Sequence, residues 1–431
     1  MIEKLIEASA KNKLMVFLLV GVGLVWGGWA LFNSPLDAIP DLSDVQVIIF
    51  TEWAGRSPDI IEDQITYPIA SSLLAAPKVK FVRGQSFFGL SFVYVIFEDG
   101  TDMYWARSRV LEYMNEIEAR LPEGVIPTLG PDATGVGWVF EYALVDTTGR
   151  WNLADLRTFQ DWYMKYWLES VPGVAEVASV GGFVKQYQIE IDPNKLLAYN
   201  IPIQKIIHAV RESNNDVGGR VLEISSTEFM VRGRGYIKSV GDLEEIALGT
   251  NENGTPIFLQ NVANVHLGPD MRRGIAELDG KGEVVGGIVI MRYGENALRV
   301  IDRVKDKIVQ VQSALPPGVE VVTTYDRSEL IHRSIDTLTE KLLEEIIIVS
   351  LVCILFLFHF RSALVAILML PVAIIVSFIP MYYMGLTSNI MSLGGIAIAI
   401  GAMVDAAIVM IENAHKRLEQ AHHAGPLTAK D

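Results

Sequence analysis

A single cysteine, Cys353, stands in a chain of 431 residues. One thiol excludes an intrachain disulfide framework, so the fold must hold by packing alone. No pair of cysteines or histidines has zinc spacing, which excludes a structural zinc module. His422 and His423 fall in a polar tail and read as solvated. No GxxxxGK[ST] loop occurs, so no nucleotide-driven motor of that form is present. Basic residues are short as well. Lys and Arg number 36 against 51 Asp and Glu, a net charge of -15, which excludes a nucleic-acid partner held by its phosphates.

What the chain has in excess is apolar residues, 50% of the total, and they come in runs. Leu14 to Phe32 carries no charge. Ile346 to Phe360 is broken by Ser350 and His359. Ala363 to Met384 is broken by Pro371, Ser377 and Pro380, both prolines being tolerable in a membrane helix. Residues 390 to 412 form the fourth run, long enough to span a bilayer. The first run is long for a signal peptide and no small-x-small cleavage site follows it, so it reads as an uncleaved anchor. Lys4, Lys11 and Lys13 before it, and Lys416 and Arg417 after the last run, set both ends on the cytoplasmic side. Arg361 then marks a tight inner turn between the second and third helices.

Asp405 lies inside the fourth run, and Glu412 follows two turns later on nearly the same face. A carboxylate in hydrocarbon costs several kcal/mol, so it faces a bundle interior or a wet path and serves proton or ion movement. The plainer reading of Asp405 is a structural carboxylate paired across the bundle, and of Glu412 an acid that reaches out to water. Met391, Met403 and Met410 offer soft thioethers suited to Cu(I) or Ag(I); otherwise they are core filler. Met271, outside the membrane beside Arg272 and Arg273, has the same two readings.

Between the first and second runs the text repeats. Ala76-Pro77-Lys78-Val79 matches Val171-Pro172-Gly173-Val174, and Leu121-Pro122-Glu123-Gly124-Val125 matches Leu315-Pro316-Pro317-Gly318-Val319. Amphipathic patterns at Tyr104 to Leu121 and Ala297 to Leu315 precede the closing motifs. Phe92 to Phe97 and Tyr187 to Ile191 read as strands, and Ser57 to Leu74 and Asn152 to Leu168 as helices. Each unit then reads strand, helix, strand, strand, helix, strand, the split-βαβ (ferredoxin-like) order. The second unit, Pro172 to Pro316, exceeds the first, Pro77 to Pro122, by 99 residues. That excess predicts one inserted subdomain between Asp192 and Glu283, with a helix at Ile203 to Ser213 and a hairpin turn at Asn251 to Gly254. The expected fold class is an α+β membrane protein.

Four blocks carry a resemblance that covers essentially the whole chain. They are Asp41-Leu-Ser-Asp-Val-Gln-Val-Ile-Ile49, Tyr104-Trp-Ala-Arg-Ser-Arg-Val110, Gly130-Pro-Asp-Ala-Thr-Gly-Val-Gly137, and Gly394 through Glu419. They resemble the heavy-metal efflux branch of the resistance-nodulation-division transporters, and within it the copper/silver pumps. The resemblance implies a transmembrane helical bundle under periplasmic porter subdomains and a docking subdomain. It implies no enzyme and no permanent cofactor. The implied protein is a homotrimeric, multi-pass inner-membrane permease that uses the proton gradient to export Cu(I) or Ag(I) through a periplasmic membrane-fusion adaptor and an outer-membrane channel.

On that resemblance Asp405 is the proton-relay aspartate and Glu412 a second relay acid. Multidrug pumps carry adjacent aspartates here, and Ala406 after Asp405 argues against drug export. Met271, Met391, Met403 and Met410 fall on the methionines of a stepwise metal path. A C-terminal half, with further cleft methionines and a lysine partner for Asp405, is expected as a partner. The alternatives are divalent Zn, Co or Cd export, or a fragment that acts only in assembly. The implied partition is 1–33 for a tail and first membrane helix, and 34–133 for a first porter subdomain. Residues 134–191 and 284–335 form a second, with a docking insert at 192–283. Residues 336–412 hold three more membrane helices, and 413–431 a cytoplasmic tail.

Overall fold

The computed structural model describes residues 2–250, 254–272, 274–357 and 360–424. It divides into two compact units, one of residues 1–143, 164–178 and 287–431, the other of 144–163 and 179–286. In the first unit, helix α1 (Lys13–Asn33) is long and apolar enough to cross a membrane, with mean hydropathy 2.2. Leu368–Tyr383 and Ile390–Ala399 are shorter apolar helical stretches. Thus one of the four expected spans meets the full length among the described residues. The expected inner turn falls partly on residues 358–359, outside them.

The first repeat folds as its alternation predicts. Strands β1 (Gln46–Glu52), β2 (Val79–Phe87), β3 (Leu90–Phe97) and β4 (Pro127–Leu129) form one sheet in the order β2-β3-β1-β4. The neighbours whose register is resolved run antiparallel. Period-2 side chains put Val47, Ile49, Val93, Val95 and Phe97 on the inner face. Against them pack Ile61, Ile65, Ile69 and Leu73 of the crossover helix, and Ala106, Val110, Met114 and Ile117 of helix α2 (Met103–Glu118). Asp102 caps α2 by accepting from the Trp105 N–H at 2.7 Å. The crossover helix contains a π-turn at Glu62–Thr66. It brings the Thr66 hydroxyl onto the sheet, 2.8 Å from both Ser86 and Ser91.

Strands β5 (Trp138–Asp146) and β6 (Val174–Gly181) open the second repeat. Its crossover helix also carries a π-turn, Gln160–Met164. Asp146 closes β5. Its carboxylate accepts from the Trp151 N–H and the Thr148 N–H, both at 2.8 Å, and from the Thr148 hydroxyl at 2.7 Å. These bonds, the Trp151 amide first, lower its pKa from 3.8 to about 2. A lowered folded-state value means that the turn's contribution is complete above pH 3.8 and is lost as pH falls toward 2. Carboxyl NMR should therefore find the Asp146 midpoint at about 2; a midpoint at the ordinary value would show the turn open.

A long segment then intervenes. It holds β7 (Lys185–Ile191), β8 (Val217–Ile224), β9 (Thr227–Gly233), β10 (Ala247–Thr250), β11 (Pro256–Phe258) and β12 (Ala263–Pro269). The chain returns through β13 (Val285–Met291), helix α3 (Ala297–Gln312) and β14 (Val319–Asp326). Asn296 caps α3 as Asp102 caps α2. The second sheet has the order β14-β5-β13-β6, the same topology as the first.

One strand differs from the sequence reading. Tyr187 to Ile191 does not join the second repeat's sheet. It pairs antiparallel with β12, Ala263 opposite Ile191, and Val285–Met291 takes the expected place. The reason is burial. Every residue of β13 is buried or nearly so, with Gly287 against the Tyr142 ring, whereas every residue of β7 is exposed or half-buried. The intervening segment keeps its own core, in which Ile206, Leu243, Ile257, Leu259 and Val265 meet. The helix expected there forms at Ile203–Ser213. The turn expected at Asn251 to Gly254 falls mostly on residues 251–253, outside the described residues. Strands β8 and β9 form a hairpin in which every residue is exposed.

Three helices complete the first unit: α4 (Arg327–Leu357), α5 (Phe360–Tyr383) and α6 (Ile390–Ala424). Helix α5 packs on α1, α4 and α6.

Candidate functional site

Helix α6 starts where it does because Asn389 caps it. The Asn389 side-chain oxygen accepts from the Met391 and Ser392 N–H groups, each at 3.0 Å, and its own N–H donates to the Ser392 hydroxyl at 2.9 Å. The same turn is laced to the chain that leaves α1. Ser388 N–H donates to Pro35 O, Asp37 N–H to Ser388 O, and Ile390 N–H to Ala38 O.

Five of the six sequence-predicted site positions lie along this one helix: Met391, Met403, Asp405, Met410 and Glu412. Met391 is 70% exposed and Met410 61%. Met403 packs with Ile346, Ile374, Ile396 and Ile408 around buried Leu370. Along the axis, Met403 and Met410 stand about 10 Å apart and about 20° from one line. Position 405 is two residues past Met403, about 200° around the helix, so the acid row and the thioether row lie on opposite sides. The Asp405 side chain lies outside the described residues. Glu412 pairs with Lys416 at 3.0 Å on the surface, a contact worth about 1 kcal/mol or less. Positions Gly394 and Gly395 face open space, where the small side would let another helix come close.

Met391 also stands on the wall of a cavity of about 520 Å³ in the first unit, with Asp37, Asp41, Asp44, Met291 and Glu295. The sequence reading missed this cleft, because its walls come from four separate loops. Burial pushes the Asp37 carboxyl above the ordinary carboxylate value, against the pull of the neighbouring Arg327 guanidinium.

Met271 belongs to the other unit, where it is 58% exposed at a cavity of about 430 Å³. Arg157 and Arg272 line the same cavity, but each has a carboxylate partner, Asp161 at 2.8 Å and Glu283 respectively. Their positive charge is thereby offset beside a neutral thioether. Arg272 also lies over the Phe183 ring at 5.9 Å.

Comparison with known proteins places the whole chain in a family. The pattern that defines the AcrB/AcrD/AcrF family matches residues 5–430. The chain is 58% identical over 426 residues to the cation efflux system protein CusA of Escherichia coli K12, covering 99% of this chain and 41% of that protein. It is 57% identical to SilA of Salmonella typhimurium, with the same coverage. The crystal structure of a heavy metal efflux pump superposes with a TM-score of 0.85 at 32% identity, over 96% of this chain and 41% of that one. The chain thus spans about two fifths of the length of the relatives it matches. By sequence and by fold, the chain belongs to the AcrB/AcrD/AcrF family.

Proposed function

We propose that this chain is the N-terminal part of an inner-membrane permease that exports monovalent copper or silver in exchange for protons. The observation that carries the reading is helix α6, which holds the carboxylate position 405 and the thioether of Met403 on opposite sides of one rigid rod. A proton taken up on one side and a metal passed on the other then act on the same element. Four membrane helices, α1 and α4 to α6, carry the chain through the bilayer. The two repeats act as porter subdomains, and the segment between β6 and β13 supplies the docking subdomain. The assembled pump is a homotrimer that works with a periplasmic membrane-fusion adaptor and an outer-membrane channel. A C-terminal half completes each subunit.

Met271, Met391, Met403 and Met410 are the metal contacts of this part. Thioethers are soft and neutral, whereas Zn(II) or Co(II) needs imidazole, thiolate or carboxylate. X-ray absorption on Cu(I)-loaded full-length pump tests the assignment. A sulfur-only first shell is the expected result, and it weakens when Met403 is changed to Ile. Tight Zn(II) binding with an oxygen and nitrogen shell, and no Cu(I) site, would assign the pump to divalent cations instead.

A further inference from the structure

Arg327 stands where strand β14 becomes helix α4. No residue separates Asp326, the last of the strand, from Arg327, the first of the helix. Its side chain is 6% exposed. One arm of the guanidinium, Nη1, donates to Val136 O at 2.6 Å and approaches Asp37 Oδ1 at 3.5 Å. The other arm, Nη2, donates to Trp138 O at 2.6 Å. Val136 to Trp138 lead into β5, the neighbour of β14 in the second sheet. Asp37 belongs to the segment that leaves α1. Beside this fork, Lys305 of α3 pairs with Asp326 and donates to the Ser328 hydroxyl at 2.9 Å. The Ser328 N–H and hydroxyl both donate to Asp326.

Three parts of the unit therefore converge on the first turn of α4: the strand beside it, the segment after α1, and a helix that packs on the sheet. Taking a guanidinium out of water costs several kcal/mol before its bonds form, so a cheaper apolar residue would serve if packing were the only requirement. A planar fork can grip two carbonyls at once and so resists rotation as well as translation. An ammonium is a point and can do neither as well.

We propose that Arg327 is a positioning residue, the joint that passes movement of helix α4 to the β5–β14 sheet and so keeps metal export in step with proton entry. This rests on the transport reading above. Without the fork, α4 can turn on its axis while the sheet stays still, and proton passage no longer obliges the porter to move.

The test uses the full-length pump in proteoliposomes, with proton influx and Ag(I) export followed in the same vesicles. Arg327→Lys keeps the charge beside Asp37 but presents a single nitrogen in place of the two arms of the fork. It should lower the metal moved per proton about tenfold while proton influx stays within about twofold of wild type. Arg327→Gln, neutral and shorter, is the second variant and should uncouple to the same degree. Asp37→Asn leaves both carbonyl bonds in place and should keep the ratio within about twofold. An unchanged ratio in both Arg327 variants overturns the joint, including the case in which the two fluxes fall together. A loss in Asp37→Asn as large as in Arg327→Lys overturns the assignment to the carbonyl fork. Wild-type pump with no proton-linked Ag(I) movement overturns the transport reading itself, and the joint with it.

Discussion

Changing Asp405 to Asn in the full-length pump is expected to abolish proton-driven export, a loss on the order of a hundredfold or more. Asn has the same shape and can keep hydrogen bonds, but it cannot take up or release a proton. The substitution removes the acid's own burial cost but takes the counter-charge from the expected lysine partner, so assembly and metal binding must be compared with wild type before the flux is read. The measurement is Ag(I) or Cu(I) movement in proteoliposomes after an acid step, with metal binding measured in parallel. Asp405→Glu, which keeps a titrating group, should retain part of the activity. Export by Asp405→Asn at the wild-type rate would remove Asp405 from the relay and leave Glu412 to explain proton coupling.

Gly27→Leu is expected to destabilise the helical part of the chain by about 3 kcal/mol, the upper end of what overpacking costs. A Cβ at Gly27 would lie 2.3 Å from the carbonyl oxygen of Ile375 on α5 and 2.9 Å from its Cγ2. A backbone carbonyl in a helix cannot step aside, so the helices themselves must part. One turn earlier, Gly23 meets Val376 at ordinary contact distance, 3.4 Å. This is the small-xxx-small spacing that lets membrane helices approach closely. Parting them also pulls Trp26 from Tyr383 and Trp29 from Tyr382, edge contacts at 5.9 and 4.9 Å. Gly28 has nothing within 4 Å of its Cβ position, so Gly28→Leu is the matched control. Thermal unfolding in detergent, followed by tryptophan fluorescence, should separate the two by several degrees. Equal Tm values for Gly27→Leu and Gly28→Leu would show that α1 and α5 do not rely on this contact.

The helices also show where a sequence pattern stops being informative. Glycines at 394 and 395 make α6 slim, yet the described structure leaves open space beside both. The crowding falls instead on Gly27, inside a run whose length drew attention only as a span. Small residues state that a close approach is allowed. Which one is used depends on how each helix is rotated against its neighbour, and rotation is a property of the pair.

Local rules settled a good deal in advance. Period-2 alternation and the matched proline motifs already spelled two strand–helix–strand–strand–helix–strand units, because burial on one face of a sheet imposes that text residue by residue. The length difference between the repeats announced an insertion. Run lengths marked the helices, and the carboxylate inside the last run marked the position whose role the Asp405→Asn test addresses, since an acid in hydrocarbon carries a burial cost. The tertiary structure decided what depends on partners far away in the chain. The first repeat turns from β2 to β3 at Phe88-Gly89, and in the second repeat that same turn, between β6 and β13, holds the insertion. Of β7 and β13, only β7 read as a strand, and only the competition for a place beside β5 could exclude it in favour of β13. Arg327 carried no signal at all in the sequence. Its two carbonyl partners lie 189 and 191 positions away, and the bonds form with backbone oxygens that every residue possesses.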